Sequence, residues 1–443
     1  MFRTAIEELV AWKEEHNRKP LIVRGARQVG KTWLIRHFGH MCFDNVIEIN
    51  FDQYPEKSSL FVRNITHSLQ FIGIDSQQPI VPGKTLLFLD EIQSAPHILP
   101  ILRYFYEECP DLHIVATGSL LDFVLEEHDF SMPVGRISYA YLGPMTFAEF
   151  LLALGEEGLH SLVHNSTEIP IPETLHIRLL ECMKLYWIVG GMPAAVEAYV
   201  VTGDLRLVQQ EHHSIVQTYQ DDFAKYQRRV DTHLLRVLFK KIPTNLGQKV
   251  MYSKLHRDAS HQKVSKHLQL LAMARLVHLV HHSDSNGLPL GAEVNLRDFK
   301  LLFLDIGLLS TMLQLPLHQL SDLDALIFVN NGVMAEQFVG QQLLYRHGFR
   351  VVPELYYWRR QAKSSSAELD YVIEHHNAVL PVEVKAGKSG SLKSLHWFVA
   401  HKGCSQALRC NTHQQTTEKI QTVVGERPVV YQLLSVPLYL TKG

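Results

Sequence analysis

The segment Leu21-Ile22-Val23-Arg24 runs into Gly25-Ala26-Arg27-Gln28-Val29-Gly30-Lys31-Thr32 and then into WLIRHFG, and it constrains the chain more than any other. A short apolar run, a loop of pattern G-x-x-x-x-G-K-T and an amphipathic stretch make a strand–loop–helix unit that cradles phosphates. Gly25 and Gly30 let the backbone curl, so that successive N–H groups through Ala26, Arg27, Gln28 and Val29 point inward at phosphate oxygens. The helix N-terminus adds its partial positive charge. Lys31 is placed to reach the β- and γ-phosphates and the Thr32 hydroxyl to ligate Mg²⁺. The cofactors expected are therefore ATP and Mg²⁺.

Such a loop needs an acidic partner, and the run Leu86-Leu87-Phe88-Leu89-Asp90-Glu91 supplies one. A buried strand delivers Asp90 to the magnesium shell, and Glu91 is placed to polarise the attacking water. The run LHIVATGS (112–119) ends in Thr117, Gly118 and Ser119. One of these hydroxyls can stand between the carboxylates and sense the γ-phosphate; the plain alternative is a strand-to-loop turn. Arg136, on the glycine turn Pro133-Val134-Gly135-Arg136, reads as an arginine finger or nucleotide sensor, or as a solvated arginine. Together LIVRG (21–25), NVIEINF (45–51), TLLFLDE (85–91), LHIVATGS and ISYAYLG (137–143) alternate with amphipathic stretches, the pattern of an α/β parallel sheet.

At 443 residues the chain is long enough for two or three domains. The reading is a P-loop core over 1–155, a linker near 155–173, a mainly helical region over 172–325, and a mixed α/β domain over 326–443. Between Lys225 and Arg275 the chain carries twelve basic residues, among them Arg228, Arg229, Lys254, Arg257 and Lys263, against Asp231 and Asp258 alone. Within that block, 249–280 predicts a short helix, a turn and a longer helix with Leu268, Leu271 and Leu276 on its apolar stripe. A strand near 293–299 would complete a wing. Such a module places a helix in a DNA groove with lysines on the backbone; a solvated basic face is the alternative.

In the last domain Glu336 falls on a predicted helix, Glu368 and Asp370 on the strand ELDYVI, and Glu383 and Lys385 two apart on PVEVKAG, hence on one strand face. The pattern resembles the PD-(D/E)XK nuclease superfamily. Glu336, Asp370 and Glu383 would hold Mg²⁺ and Lys385 would orient or activate water. An E-x-K pair on an alternating strand is also a common cross-strand ion pair. Upstream, Trp358, Arg359, Arg360 and Lys363 either flank a nucleic-acid strand or form an aromatic plug with a polar rim.

The five cysteines form no C-x-x-C pair, which points away from a disulfide framework or zinc cluster and toward a reducing, cytoplasmic compartment. The adjacent pairs His212–His213, His281–His282 and His375–His376 diverge in direction and read as solvated surface. The acidic, amphipathic start does not read as a signal peptide, and no apolar run approaches the roughly 18 residues of a membrane span.

RGARQVGKT, LLFLDEIQ, ATGSLLDF and GRISYAYLGPMTFAEFL together resemble a family of bacterial and archaeal AAA+-like ATPases with a C-terminal domain of unknown function. The resemblance continues through YWIVGGMPAAVEAY (186–199), TYQDDFAKY (218–226), KLLFLDIGLL (300–309) and NGVMAEQFVGQQL (331–343). It implies a P-loop NTPase parallel sheet, a winged-helix-like middle and an α/β restriction-endonuclease-like end. The expected function is an ATP-hydrolysing switch coupled to a nucleic-acid-directed domain, with DNA as partner. The rival is an ATP-dependent regulatory switch that binds a protein partner through a non-catalytic C-terminal domain. Proteins of this kind often take an arginine from a neighbour in an oligomer, with Arg136 or Arg103 in that part.

Overall fold

The computed structural model describes residues 2–119, 121, 133, 135–165, 171–226, 230–315, 323–360, 367–386 and 391–441. Lys363, Arg228, Arg229 and Val134 lie outside the described residues.

The five N-terminal apolar runs form β1 (Leu21–Arg24), β2 (Asn45–Asn50), β3 (Thr85–Asp90), β4 (His113–Gly118) and β5 (Ser138–Tyr141). All pair in parallel, in the order β2-β3-β4-β1-β5. Every residue of β3 and β4 is buried, because helices cover both faces. Alternate residues serve separate cores: Leu86, Phe88 and Val115 face one, Leu87, Leu89 and Ile114 the other. The flanking helices are α1 (Ala5–Lys13), α2 (Lys31–Cys42), α3 (Ile65–Ser76) and α4 (Leu102–Glu108). Since β4 lies between β1 and β3, its C-terminal Thr117 falls between the phosphate loop and Asp90.

The middle of the chain is helical: α5 (Phe147–Ala153), α6 (Glu157–His164), α7 (Glu173–Val189), α8 (Pro193–Thr202), α9 (Leu205–Asp222), α10 (Thr232–Lys241), α11 (Tyr252–Leu255) and α12 (His261–Met273). The expected linker is thus partly wrong. Residues 157–164 form α6, whose Leu159 and Val163 are buried; the apolar pair four apart outweighs the polar composition around it. Leu276 is buried but lies beyond α12, because Arg275 adopts a left-handed conformation (φ 57°) that ends the helix.

β6 (Val277–Ser283) and β7 (Val294–Phe303) make an antiparallel pair, followed by α13 (Ile306–Met312) and α14 (Leu323–Leu344). β8 (Tyr356–Arg359), β9 (Glu368–His375), β10 (Ala378–Val384), α15 (Lys393–Lys402), β11 (Gln406–Asn411), β12 (Thr416–Val424) and β13 (Arg427–Pro437) complete the chain. The eight strands form one mixed sheet, β12-β13-β11-β10-β9-β8-β6-β7. β6 pairs with β8, so the hairpin of the middle region is continuous with the C-terminal strands, and α14 runs through the position expected to divide the two.

Asp305 fastens this assembly from within. Its fully buried carboxylate accepts from the N–H groups of Gly307 and Leu308, both at 3.0 Å, capping α13, and from Gly191 at 2.7 Å in the turn between α7 and α8. The histidine pairs are not uniformly surface. His212 is fully buried, with ring nitrogens bonded to the Thr311 hydroxyl and the Val189 carbonyl, and burial lowers its pKa to about 4. His282 is buried too, bonded to the Arg359 carbonyl. Among the described residues no helix is long and apolar enough to cross a membrane.

Candidate functional site

The phosphate loop leaves β1 at Gly25, crosses Gln28 (φ 65°) and Gly30 (φ 91°), and enters α2 at Lys31. A side chain at Gly25 would strike the Leu142 carbonyl, so the glycine is required by the crossing of β1 and the segment after β5. Lys31 is buried, and its Nζ donates to the loop's own carbonyls, Gly25 at 3.0 Å and Ala26 at 2.8 Å. Burial lowers its pKa to about 8, with Glu91 and then Asp90 opposing the shift.

Thr32 Oγ1 donates to Asp90, 3.1 Å from Oδ2. Asp90 also receives the Thr117 hydroxyl and, at 3.1 Å, the Asn50 amide. Burial raises the Asp90 pKa, and the bond from Thr117 works against it. A hydroxyl and a carboxylate meeting at the loop are oxygen donors suited to a hard cation, so the residues fit Mg²⁺. Glu91 adopts a left-handed conformation (φ 53°), a strained state for a non-glycine residue that turns its carboxylate away from the strand direction. The Gln93 amide donates to Glu91 Oε2, and Ser119 Oγ lies 3.4 Å from it.

The cleft over the loop has a volume of about 610 Å³. Lys31, Thr32 and Glu91 form its floor, and Pro193 and Glu197 of α8 with Glu211 and Ser214 of α9 form its other wall. Three contacts bind the loop to that wall and to the segment before α1. Arg27 pairs with Asp222 at 3.0 Å, the Tyr219 hydroxyl donates to the Arg27 carbonyl at 2.8 Å, and Arg3 Nη1 donates to the Val29 carbonyl at 3.0 Å. Asn50, Arg3, Tyr219 and Asp222 did not emerge from the sequence. Only Asn50 had a local signal, closing a strand that ends in register with Asp90.

Arg136 does not line this cleft. It pairs with Glu107 at 2.8 Å, the same carboxylate that Arg103 reaches at 3.0 Å.

At the C-terminal end the structure brings Glu336 (α14), Glu368 and Asp370 (β9) together around a residue not singled out before, Lys300 of β7. Its Nζ lies 2.6 Å from Glu368, 3.0 Å from Glu336 and 4.0 Å from Asp370, and its side chain is 2 % exposed. Glu383 pairs with Lys385 at 2.5 Å. Asp370 also accepts from the Val384 N–H at 2.7 Å. Burial pushes the Glu336, Asp370 and Glu383 carboxyls up, and Lys300 pulls each back. Among the described residues no three His, Cys, Asp or Glu side chains are arranged to hold a metal ion. Trp358 is core: it stacks on Trp397 at 5.2 Å, with Arg360 over the Trp397 ring, while Arg359 pairs with Asp298.

Of the basic block, Lys240, Lys241, Lys254, Arg257 and Lys263 are exposed. Lys249 is paired with Asp298 at 2.8 Å, and Arg275 lies over the Tyr141 ring.

Residues 17–151 match the family model described as an AAA domain. Residues 180–319 and 331–433 match two families described as domains of unknown function, DUF8612 and DUF4143. No curated protein matches the sequence. Solved structures with some likeness include the Walker-type ATPase PABY2304 of Pyrococcus abyssi, at 15 % identity and TM-score 0.44, covering 70 % of this chain and 94 % of that one. The Aeropyrum pernix ORC2 protein in ADPNP–ADP complexes aligns at 13 % identity and TM-score 0.37, over 75 % and 94 %. AMPPCP-bound DnaA from Aquifex aeolicus aligns at 13 % identity and TM-score 0.27, over 61 % and 84 %. At such scores these likenesses add nothing to the fold derived above. The sequence match and the loop geometry agree that the N-terminal unit is an ATP-binding P-loop domain of the AAA type.

Proposed function

We propose that the protein is a Mg²⁺-dependent ATP hydrolase of AAA+-like type. Its nucleotide state would set the position of a winged-helix-like middle region (172–325) and a nucleic-acid-directed, nuclease-like C-terminal domain (326–443). The observation that carries this reading is the cleft itself: its floor is the phosphate loop and its facing wall is α8 and α9, so a nucleotide there touches both regions. Thr32 and Asp90 would hold magnesium, which when bound neutralises phosphate charge. Lys31 exchanges the Gly25 and Ala26 carbonyls for β- and γ-phosphate oxygens. Glu91 accepts a proton from the attacking water, and Thr117 keeps Asp90 oriented. Arg136 and Arg103 both pair with Glu107 and neither lines the cleft, so a finger role for either requires a neighbouring copy in an oligomer. The exposed lysines and Arg257 around α11 and α12 supply the cationic face for DNA phosphates.

The test is Mg²⁺–ATP hydrolysis by wild type, Lys31→Ala and Glu91→Gln, with and without duplex DNA. DNA-stimulated turnover that both variants lose by at least about 100-fold supports the coupled reading. Turnover indifferent to DNA favours the second reading, a regulatory switch acting on a protein partner, with a cytoplasmic setting common to both. That second reading draws on a specific observation, the buried Lys300 at the centre of the C-terminal acids.

A further inference from the structure

β7 carries two charged residues on one face of an otherwise apolar strand end, Asp298 and Lys300, and each is matched from outside the strand. Asp298 is 2 % exposed and receives Lys249, Arg359 and the Tyr357 hydroxyl. Lys300 answers with the opposite sign, reaching Glu336 and Glu368 directly and Asp370 at 4.0 Å. Beyond Asp370, Glu383 is neutralised through Lys385. The row therefore alternates, with four cations (Lys249, Arg359, Lys300, Lys385) facing five carboxylates (Asp298, Glu336, Glu368, Asp370, Glu383). A row one charge from neutral gives little electrostatic reason for a divalent ion. Sterically the place is also taken. Lys300 Nζ sits at the point where Glu336, Glu368 and Asp370 converge, within 4.0 Å of all three. One acceptor is left over: Glu383 Oε2 is buried with no hydrogen-bond partner, on a residue 5 % exposed. An uncompensated carboxylate oxygen of that kind is costly, and marks where a cation closer than Lys300 would be drawn if the ammonium were gone.

We propose that Lys300 is the resident cation of this acidic cluster, supplied by the middle region's hairpin, and that it excludes divalent metal while β7 is paired with β6. The C-terminal domain in this arrangement is then a charge-matched joint rather than a metal-dependent catalyst. β7 is the last strand of the sheet, paired with β6 on one side and, on the other, bridged at Lys300 to Lys249 with the Val250 N–H donating to the Phe299 carbonyl at 2.9 Å, so metal entry requires that this strand move. The inference rests on the nuclease-like reading of residues 326–443 and is independent of ATP hydrolysis.

The experiment titrates Mn²⁺ into the nucleotide-free, full-length protein and follows the free-ion signal by electron paramagnetic resonance. Wild type should show no site that Asp370→Asn removes. Lys300→Met, with its thermal transition retained, should gain one site at least about tenfold tighter than any in wild type, and adding Asp370→Asn should abolish it. A wild-type Mn²⁺ site lost in Asp370→Asn, Mg²⁺-dependent DNA cutting by wild type lost in the same variant, or a folded Lys300→Met that takes up no Mn²⁺ would each overturn the proposal. Should Lys300→Met fail to fold, the wild-type and Asp370→Asn arms still decide it. ATP turnover measured on the same samples reports separately on the P-loop.

Discussion

Lys31 offers a prediction that joins the electrostatics of the loop to its ligand. The side chain is 7 % exposed and its ammonium is satisfied only by two backbone carbonyls, so burial brings its pKa down to about 8 despite Glu91 and Asp90. Phosphate oxygens at the same place would restore the charged form, so nucleotide binding takes up a proton wherever the free site has lost one. With a free-site pKa of about 8, roughly nine-tenths of sites are protonated at pH 7 and roughly one-tenth at pH 9. Only the protonated fraction is competent, so the apparent Kd for a non-hydrolysable ATP analogue should rise about tenfold over that interval. Lys31→Arg, whose guanidinium stays charged, should lose most of this dependence. The linkage to stability has the corresponding sign. Between about pH 8 and 10.5 the unfolded chain holds the proton that the folded, empty site has released, so the empty protein gains stability as pH rises through that window. The gain is on the order of 3 kcal/mol in total, and the penalty is fully present below pH 8. Calorimetric titration at pH 7, 8 and 9 measures the first effect, in buffers of differing ionisation enthalpy to count protons. A Kd that is flat across the range in wild type, or that changes equally in Lys31→Arg, would refute the assignment of the proton to Lys31.

Three further outcomes are expected. Asp305→Ala strips a charged acceptor from three buried N–H groups, a loss of about 3–5 kcal/mol. Hydrogen exchange at Gly191, Gly307 and Leu308 should quicken about 10²- to 10⁴-fold, and unchanged protection would count against Asp305 as the fastening point. Tyr219→Phe removes the bond to the Arg27 carbonyl, worth about 1 kcal/mol, and should weaken nucleotide binding about fivefold in equilibrium titration; an unaltered Kd would mean that the loop does not feel α9. If the middle region meets DNA, Lys254→Ala, Arg257→Ala and Lys263→Ala combined should flatten the slope of log affinity against log salt by about 3, and an unmoved slope would place the contact elsewhere.

The sequence made the nucleotide site legible because its chemistry is local. A strand, a glycine loop and a helix adjoin one another, and the acid that completes them ends a second strand whose apolar run is itself diagnostic. What stayed hidden is what comes from far along the chain. Arg3 reaches a loop carbonyl from the segment before the first helix, and Asp222 reaches Arg27 across 195 positions' separation in a stretch read only as helix. The C-terminal acids were visible as a pattern, yet their meaning turned on Lys300, which sits in FKLLF and looks like one charge on a half-exposed strand. A lysine inside the apolar run FKLLFLDIGLL is the signal that was available, since an ammonium buried in such a run must have carboxylate partners. The misread histidines fail for the same reason: His212 and His282 are bonded to partners 99 and 77 residues away, which composition cannot reveal.

The same long-range contacts decide how the parts can influence one another. Phosphates at the loop would draw Lys31 off the Gly25 and Ala26 carbonyls, and the adjoining Arg27 is already held by Tyr219 and Asp222 at the end of α9. α9 packs on α13 through His212 and Thr311, and α13 begins at Asp305, which also holds the turn leading into the cleft wall. β7 runs directly into Asp305 and carries Lys300 five residues earlier. A displacement of α9 by nucleotide therefore has one covalently short route to the edge strand that fills the acidic cluster. The requirement this sets is specific: if the two sites are coupled, Tyr219→Phe and Lys300→Met must show non-additive effects on nucleotide affinity, whereas sites joined only by proximity in the fold would add.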